Sequence, residues 1–129
     1  MPTIDFLQLD EVLHIHQDQV QRYGGDPGIR DGGALLSAIA MPQVTYDQAH
    51  LHQNLFEMAA AYLFHIVQNH PFIDGNKRTG TVAAIVFLSI NDVEIDVDED
   101  ELAEFVFAVA RGEVDKPAIA SFLRQHWVE

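Results

Sequence analysis

The segment His70-Pro71-Phe72-Ile73-Asp74-Gly75-Asn76-Lys77-Arg78-Thr79-Gly80 places an imidazole, a carboxylate, a carboxamide and two cations within nine residues, His70 to Arg78. That mixture suits phosphate chemistry. His70 supplies an imidazole, a group able to take a proton from an attacking hydroxyl near neutral pH, an effect worth about 10²–10⁴ in rate. Asp74 offers an oxygen ligand for Mg2+, which favours one or two carboxylates together with substrate phosphates. It can also cap the helix that follows. Gly75 lets the chain turn with positive φ and bring its amides close to a ligand. Asn76, Lys77 and Arg78 can aim donors at phosphate oxygens with a helix dipole behind them. Phe72 and Ile73 read as residues that plug the loop into the core, and Pro71 as one that stiffens it. Thr79 and Gly80 carry no assigned chemistry. Taken singly, His70 could merely end a helix and Lys77-Arg78 could be a solvated first turn; their joint presence favours an anion-binding nest.

The elements that must hold this loop are helical nearly throughout. Leu9, Val12, Leu13, His16, Val20 and Tyr23 follow the spacing of a helix with one buried face, and Gly24-Gly25 stops it. After Asp26-Pro27-Gly28-Ile29-Arg30, Asp31 is the N-cap of a short helix to Ala40, ended by Pro42. Met41 to His50 lacks period and reads as an exposed loop or small hairpin, a segment of the kind that meets substrates. A third helix, about Leu51 to Asn69, puts Leu55, Ala59, Tyr62, Leu63 and Ile66 on one side and ends before Pro71. A fourth, about Asn76 to Asn91, is apolar nearly all round from Val82 to Leu88 and is expected to be central and buried. Asp92 to Val97 alternates like a short extended segment; Asp98 and Glu101 form a capping-box pattern for a helix to Ala110 or Arg111. Lys116-Pro117 opens a last helix to Trp127. The expectation is one all-α domain over residues 1–129, with about six helices.

Composition limits what such a loop can serve. A chain of 129 residues with 48% hydrophobic content can bury roughly two thirds of its unfolded surface in one core. Seven Lys and Arg stand against twenty Asp and Glu, a formal charge of -13, so neither nucleic acid nor an anionic membrane is an expected partner. A basic partner surface is more natural. Against that background the adjacent Lys77 and Arg78 form a local positive site that would draw phosphate. Cysteine is absent, which removes thiolate chemistry and suits a reducing cytoplasm. The start, Met1-Pro2-Thr3-Ile4-Asp5, lacks signal-peptide order, and no apolar run approaches the ~20 residues of a membrane helix. The expected location is cytoplasmic.

Other motifs fail on inspection. Asp96, Asp98 and Asp100 have EF-hand-like spacing, but the position that needs Gly is Glu101 and the one that needs Glu is Phe107. The pairs His14/His16 and His50/His52 lack further ligands at metal-binding spacing, which favours structural or surface roles. Gly75-Asn76-Lys77-Arg78 lacks the earlier Gly and the hydroxyl residue of a Walker loop. No Gly-x-Ser-x-Gly element is present.

The loop resembles the signature of the Fic/Doc (Fido) superfamily, His-Pro-Phe-x-Asp/Glu-Gly-Asn-Gly-Arg-x-x-Arg, with two departures: Lys77 replaces Gly and Thr81 replaces the second Arg. Both match the death-on-curing (Doc) branch, and the similarity extends to Tyr23-Gly24-Gly25, to Gly28 through Ile39, to Met41-Pro42 and to Phe87 through Asn91. The resemblance implies a compact Fic fold and a toxin of a toxin-antitoxin system. It further implies transfer of the γ-phosphoryl group of ATP, with Mg2+, to a protein Ser/Thr hydroxyl, with a threonine of elongation factor Tu as the implied target and arrested translation as the result. His70, Asp74 and Lys77 are then the catalytic residues, Gly75, Asn76, Lys77 and Arg78 hold the nucleotide, and Asp74 binds the metal. Lys77 fills and charges the nest while Thr81 removes a phosphate clamp, so a different triphosphate pose is expected from that of adenylyl-transferring members. The alternatives are adenylyl transfer and a silent binding module. The family's inhibitory Ser/Thr-x-x-x-Glu helix has no counterpart: four residues after Thr45, Ser89 and Ser121 stand Ala49, Val93 and Gln125. A Phd-like antitoxin acting in trans is the implied restraint, and Met41 to His50 corresponds to the target-binding flap.

Overall fold

The computed structural model describes residues 3–129. Met1 and Pro2, part of the amino-terminal segment read above, lie outside the described residues. Six helices carry the architecture: α1 (Leu9–Tyr23), α2 (Gly32–Ala40), α3 (Leu55–Asn69), α4 (Asn76–Ile90), α5 (Glu99–Ala110) and α6 (Lys116–Gln125). Met41–Gln43 is a single 3₁₀ turn around the buried Pro42. Two short antiparallel strand pairs complete the fold, the hairpin of β1 (Thr45–Tyr46) with β2 (Ala49–His50), and β3 (Glu94–Ile95) with β4 (Trp127–Val128).

The centre is a helix pair. α3 buries Phe56, Met58, Ala59, Ala60, Ala61, Tyr62, Leu63, Ile66 and Val67, so its apolar surface goes all the way round rather than following one face. α4 buries Ala83, Ala84, Phe87 and Leu88 along with Asn76, Thr79 and Gly80 from its first turns, while Val82, Ile85 and Val86 are half-buried. The two helices approach closely at Gly80. A Cβ there would lie 3.0 Å from Val67 Cγ2 and 3.3 Å from the Leu63 carbonyl oxygen, distances that leave no room for alanine without a shift. α2 and α6 flank α3, and α1 lies on α4. Tyr62 spans the core to the amino terminus, its hydroxyl accepting the Leu7 N–H at 2.9 Å. Its burial pushes the phenol up to about 12.

Most helix limits fall where caps and breakers put them. Asp31, Asn54, Asp98 and Asp115 accept main-chain N–H groups at the starts of α2, α3, α5 and α6, each contact worth about 1 kcal/mol. α3 starts at Leu55, later than Leu51, because Asn54 caps it. α6 ends at Gln125; Trp127 belongs to β4, pairing with Ile95 and packing on Phe56 at 5.6 Å. Met41 to His50 contains a hairpin whose turn residues Asp47 and Gln48 both have positive φ, the backbone of a type I′ turn. Among the described residues no helix is long and apolar enough to cross a membrane.

Candidate active site

The loop between α3 and α4 turns twice through the left-handed region. His70, the C-cap of α3, has φ 46° and ψ 56°, an uncommon conformation for a residue with a side chain. Gly75 has φ 82° at the start of α4. Between them the loop is fastened from several sides. Arg30 donates from Nε to the His70 carbonyl and from Nη2 to the Asn69 carbonyl, placing a guanidinium on the negative end of the α3 dipole. Pro71 O receives the amides of Arg30 and Asp31, and Ile73 N–H donates to Gly28 O at 3.0 Å. Phe72 is 1% exposed and stacks on His16 at 3.7 Å between ring centres. The His16 Nε2 hydrogen-bonds the Asp74 carbonyl at 2.8 Å.

Each sequence-derived site residue has a definite place. The His70 side chain is exposed, beyond the carbonyl that Arg30 holds. Asp74 is also exposed; its Oδ2 accepts the Asp26 N–H at 2.8 Å. It does not cap α4, which corrects that reading: Gly75 is the N-cap and no side chain caps this helix. Asp74 therefore has carboxylate lone pairs free for another ligand. Asn76 departs from the expected role of its side chain. Its Oδ1 accepts Phe72 N–H at 3.0 Å and its Nδ2 donates to Phe72 O at 2.9 Å. The carboxamide is a buried staple of the loop, which leaves only the Asn76 main-chain N–H for a ligand. Ile73, expected to join Phe72 in the core, is 51% exposed and lies over Gly28 instead.

Lys77 and Arg78 are exposed and make no ion pair among the described residues. Aromatic rings position them: Lys77 Nζ is 5.3 Å from the Phe107 ring centre, and the Arg78 guanidinium is 4.4 Å from that of Tyr23. Such contacts hold a cation without neutralising it. Thr81 donates back to the Lys77 carbonyl at 2.7 Å. The first intrahelical bond of α4 is Thr79 N–H to Gly75 O at 2.9 Å, so the three preceding amides meet no internal acceptor. Beside them is a cavity of about 420 Å3, lined by Gly75, Asn76, Lys77, Arg78 and Thr81, with α1 and α5 as walls. His70 and Asp74 stand on the loop outside that cavity.

The donor set fits an anion with several oxygens. Uncapped amides, the positive end of a helix dipole and two unpaired cations converge on one cavity, the arrangement by which helix starts bind phosphate. Asp74, with one donor on its carboxylate, fits a divalent cation shared with that phosphate. Sequence reasoning placed His16 on the buried face of α1 but missed its grip on the loop, and it missed the Arg30 clamp and the platform at Tyr23. The apolar spacing of α1 carried a signal for His16. Nothing local signalled Arg30, because its partners are main-chain atoms about forty positions away.

The family model described as Fic/DOC family matches residues 6–88, which include the whole loop and the first turns of α4. Two similar relatives cover more of the chain. Protein kinase doc of Escherichia phage P1 is 36% identical over 118 residues, 90% of this chain and 90% of that protein. Toxin Doc of Mycolicibacterium smegmatis (strain ATCC 700084 / mc(2)155) is 39% identical over 103 residues, 78% of this chain and 79% of that protein. With the loop, the helix pair that carries it and these matches together, the chain belongs to the Fic/DOC family.

Proposed function

We propose that the chain is a single-domain, cytoplasmic Doc-type toxin that moves the γ-phosphoryl group of ATP to a Ser or Thr hydroxyl of a protein. The observation that carries the reading is the uncapped start of α4, where unpaired Lys77 and Arg78 border a cavity one loop away from His70. The names of the two relatives, a protein kinase and a toxin, support it. Lys77 and Thr81 stand where the resemblance separates phosphoryl from adenylyl transfer.

In this mechanism the amides of Asn76, Lys77 and Arg78 and the two cations bind phosphate oxygens and fix the direction of the triphosphate. Asp74 would hold Mg2+, which supplies charge neutralisation at the phosphates. His70 takes the proton of the incoming hydroxyl as its oxygen bonds to the γ-phosphorus; the bond to the leaving ADP oxygen breaks, and the ADP carries away that electron pair. Arg30, His16 and Asn76 act by positioning, since they hold the main chain on which His70 and Asp74 ride.

The protein substrate is proposed to be elongation factor Tu, which would stop translation, and restraint is assigned to a Phd-like antitoxin in trans. Labelled ATP distinguishes the classes of reaction. With γ-labelled ATP, Mg2+ and a bacterial lysate, one protein band is expected to take up label, and with α-labelled ATP none. Uptake of α-label instead would make the chain an adenylyltransferase, and no uptake of either would leave a binding module.

A further inference from the structure

Seven side chains of this acidic protein are Lys or Arg, and their partners sort them. Arg22 and Arg111 pair with Asp18 and Glu113, and Arg30 holds main-chain carbonyls. Lys77 and Arg78 border the cavity at α4. The remaining two, Lys116 and Arg124, line a second cavity of about 400 Å3 along the seam of α3 and α6 that Glu57 also lines, and neither makes an ion pair among the described residues. Arg124 lies over the Phe56 ring at 4.8 Å. Lys116 is bound in a less usual way. Its Nζ is 3.1 Å from His65 Nε2 and 3.3 Å from His52 Nε2, with the Phe64 ring centre at 5.9 Å.

The two ring nitrogens can engage two of the three N–H groups of an ammonium or both of those of a free amine. In the free-amine form both hydrogens would be held by the imidazoles and the lone pair would be left for the cavity. Burial lowers Lys116 below the ordinary lysine value, which adds to the free-amine fraction. The same burial, with the Lys116 charge beside it, lowers His52 and pushes His65 down to about 4, so both rings are neutral acceptors at pH 7. The other charged groups nearby are already engaged. Glu57 accepts Asn54 Nδ2 at 2.7 Å and Gln53 N–H at 3.2 Å, and Asp115 caps α6 through Ala118 N–H.

We infer that Lys116 is a nucleophilic amine and a site of acylation by an acyl phosphate. The cavity suits that donor: Arg124 offers a cation to the phosphate, Asn54 and Ser121 add polar side chains to the lining, and the Glu57 carboxylate that also lines it is held by Asn54 and Gln53. The Lys116 lone pair attacks the acyl carbon and the C–N bond forms. The bond from that carbon to the phosphate oxygen breaks, and phosphate leaves with the electron pair. The surplus proton on nitrogen passes to water, with the His52 Nε2 as relay, the arrangement of a nucleophile beside its base. Acylation would remove the lysine's charge at the seam and end its contact with both imidazoles.

The chain contains two lysines, so each molecule carries its own control. The full chain is incubated with acetyl phosphate over a range of pH, and acetylation at Lys116 and Lys77 is followed by peptide mass spectrometry. At pH 7 Lys116 is expected to react several-fold faster than Lys77, since burial lowers its pKa and so raises its free-amine fraction. Its pH–rate midpoint is expected below the ordinary lysine value. The His52→Gln/His65→Gln double variant keeps acceptors for the amine but removes the bases, and should slow Lys116 about tenfold while leaving Lys77 unchanged. Arg124→Ala should slow acetyl phosphate but not a neutral acetyl N-hydroxysuccinimide ester. Equal rates at the two lysines in the parent protein, a measurement that requires no variant to fold, would overturn the assignment. An unchanged Lys116 rate in a folded double variant would overturn the role of the histidines, and an indifferent Arg124→Ala would remove acyl phosphate as the donor class.

Discussion

α4 and α6 both carry a lysine in the first turn and both border a cavity of similar size, yet their amino ends are built in opposite ways. At α6, Asp115 caps the helix and Pro117 has no N–H to satisfy, so the helix start is closed and its lysine turns aside to two imidazoles. At α4 the N-cap is a left-handed glycine with no side chain, and its cations rest on aromatic rings with their charge unpaired. A capped start stabilises a helix; a bare one gives up that contribution and presents the amides to a ligand. Four other helices of this small protein are capped by side chains that accept main-chain N–H groups. α1 lacks such a cap too, but there Glu11 reaches back to the Gln8 N–H; the bare start of α4 is where the phosphate chemistry is proposed, in keeping with the tendency of local stabilising rules to be broken at functional sites.

Substitutions can break that comparison, and the largest effect on stability is expected at the staple rather than at the cations. Asn76→Ala leaves the Phe72 N–H and C=O buried without their partners and should destabilise the fold by about 2–4 kcal/mol in denaturant unfolding, with activity lost as well. Lys77→Ala/Arg78→Ala should lower ATP affinity about 10- to 100-fold by titration calorimetry, since each charge-assisted contact is worth about 1.5–3 kcal/mol before neighbouring donors compensate. Its unfolding free energy should stay within about 0.5 kcal/mol of the parent, because neither cation is in an ion pair. The matching change at the closed helix start, Asp115→Ala, should do the reverse: about 1 kcal/mol lost in stability and no change in transfer.

The smallest effect is absent at pH 7 and grows only in acid. His65 is held down to about 4 by burial, by Lys116 and by His52, against 6.5 for a free imidazole. Between those values the unfolded chain binds the additional proton, so stability is complete above pH 6.5 and declines as pH falls toward 4. His52 acts in the same direction. Melting temperatures taken from pH 8 to pH 5 should fall, and His65→Gln should flatten the decline. A parent protein whose stability is constant over that range would contradict the neutral-imidazole arrangement around Lys116.

The helices were legible because their signals are local. Asp31 and Asp98 mark their caps, Gly24 and Pro71 mark ends, and the spacing from Leu9 to Tyr23 gave the span of α1, although Leu9 and Tyr23, read as part of its buried face, are exposed because they lie at the helix ends beyond the core contact of Val12 and His16. The loop was legible in its types but not in how each side chain is used. His70 and Asp74 are exposed as a catalytic reading requires, yet Asn76 faces inward, because a tight loop with two buried main-chain groups at Phe72 needs a donor and an acceptor together. Spacing put His16 on the buried face of α1 but could not show its contact with the loop, and it gave no sign of Arg30, since both reach the loop only after α1 and the 26–31 segment have folded against it. The His52–Lys116–His65 cluster was hidden for the same reason: 51 and 64 positions separate the lysine from its partners. The pair His50/His52 was read as structural or surface; His50 is exposed and tilts against Phe6, while His52 is buried in that cluster.

The most direct test of the account is the dependence of phosphoryl transfer on His70. The parent and a His70→Ala variant, shown by circular dichroism to be equally folded, are compared for initial rate of γ-label transfer to purified elongation factor Tu at saturating ATP and Mg2+. The account predicts a loss of about 10²–10⁴ in rate with nucleotide affinity little changed, since the imidazole acts on the hydroxyl and the start of α4 holds the phosphates. A variant that transfers label as fast as the parent would contradict it.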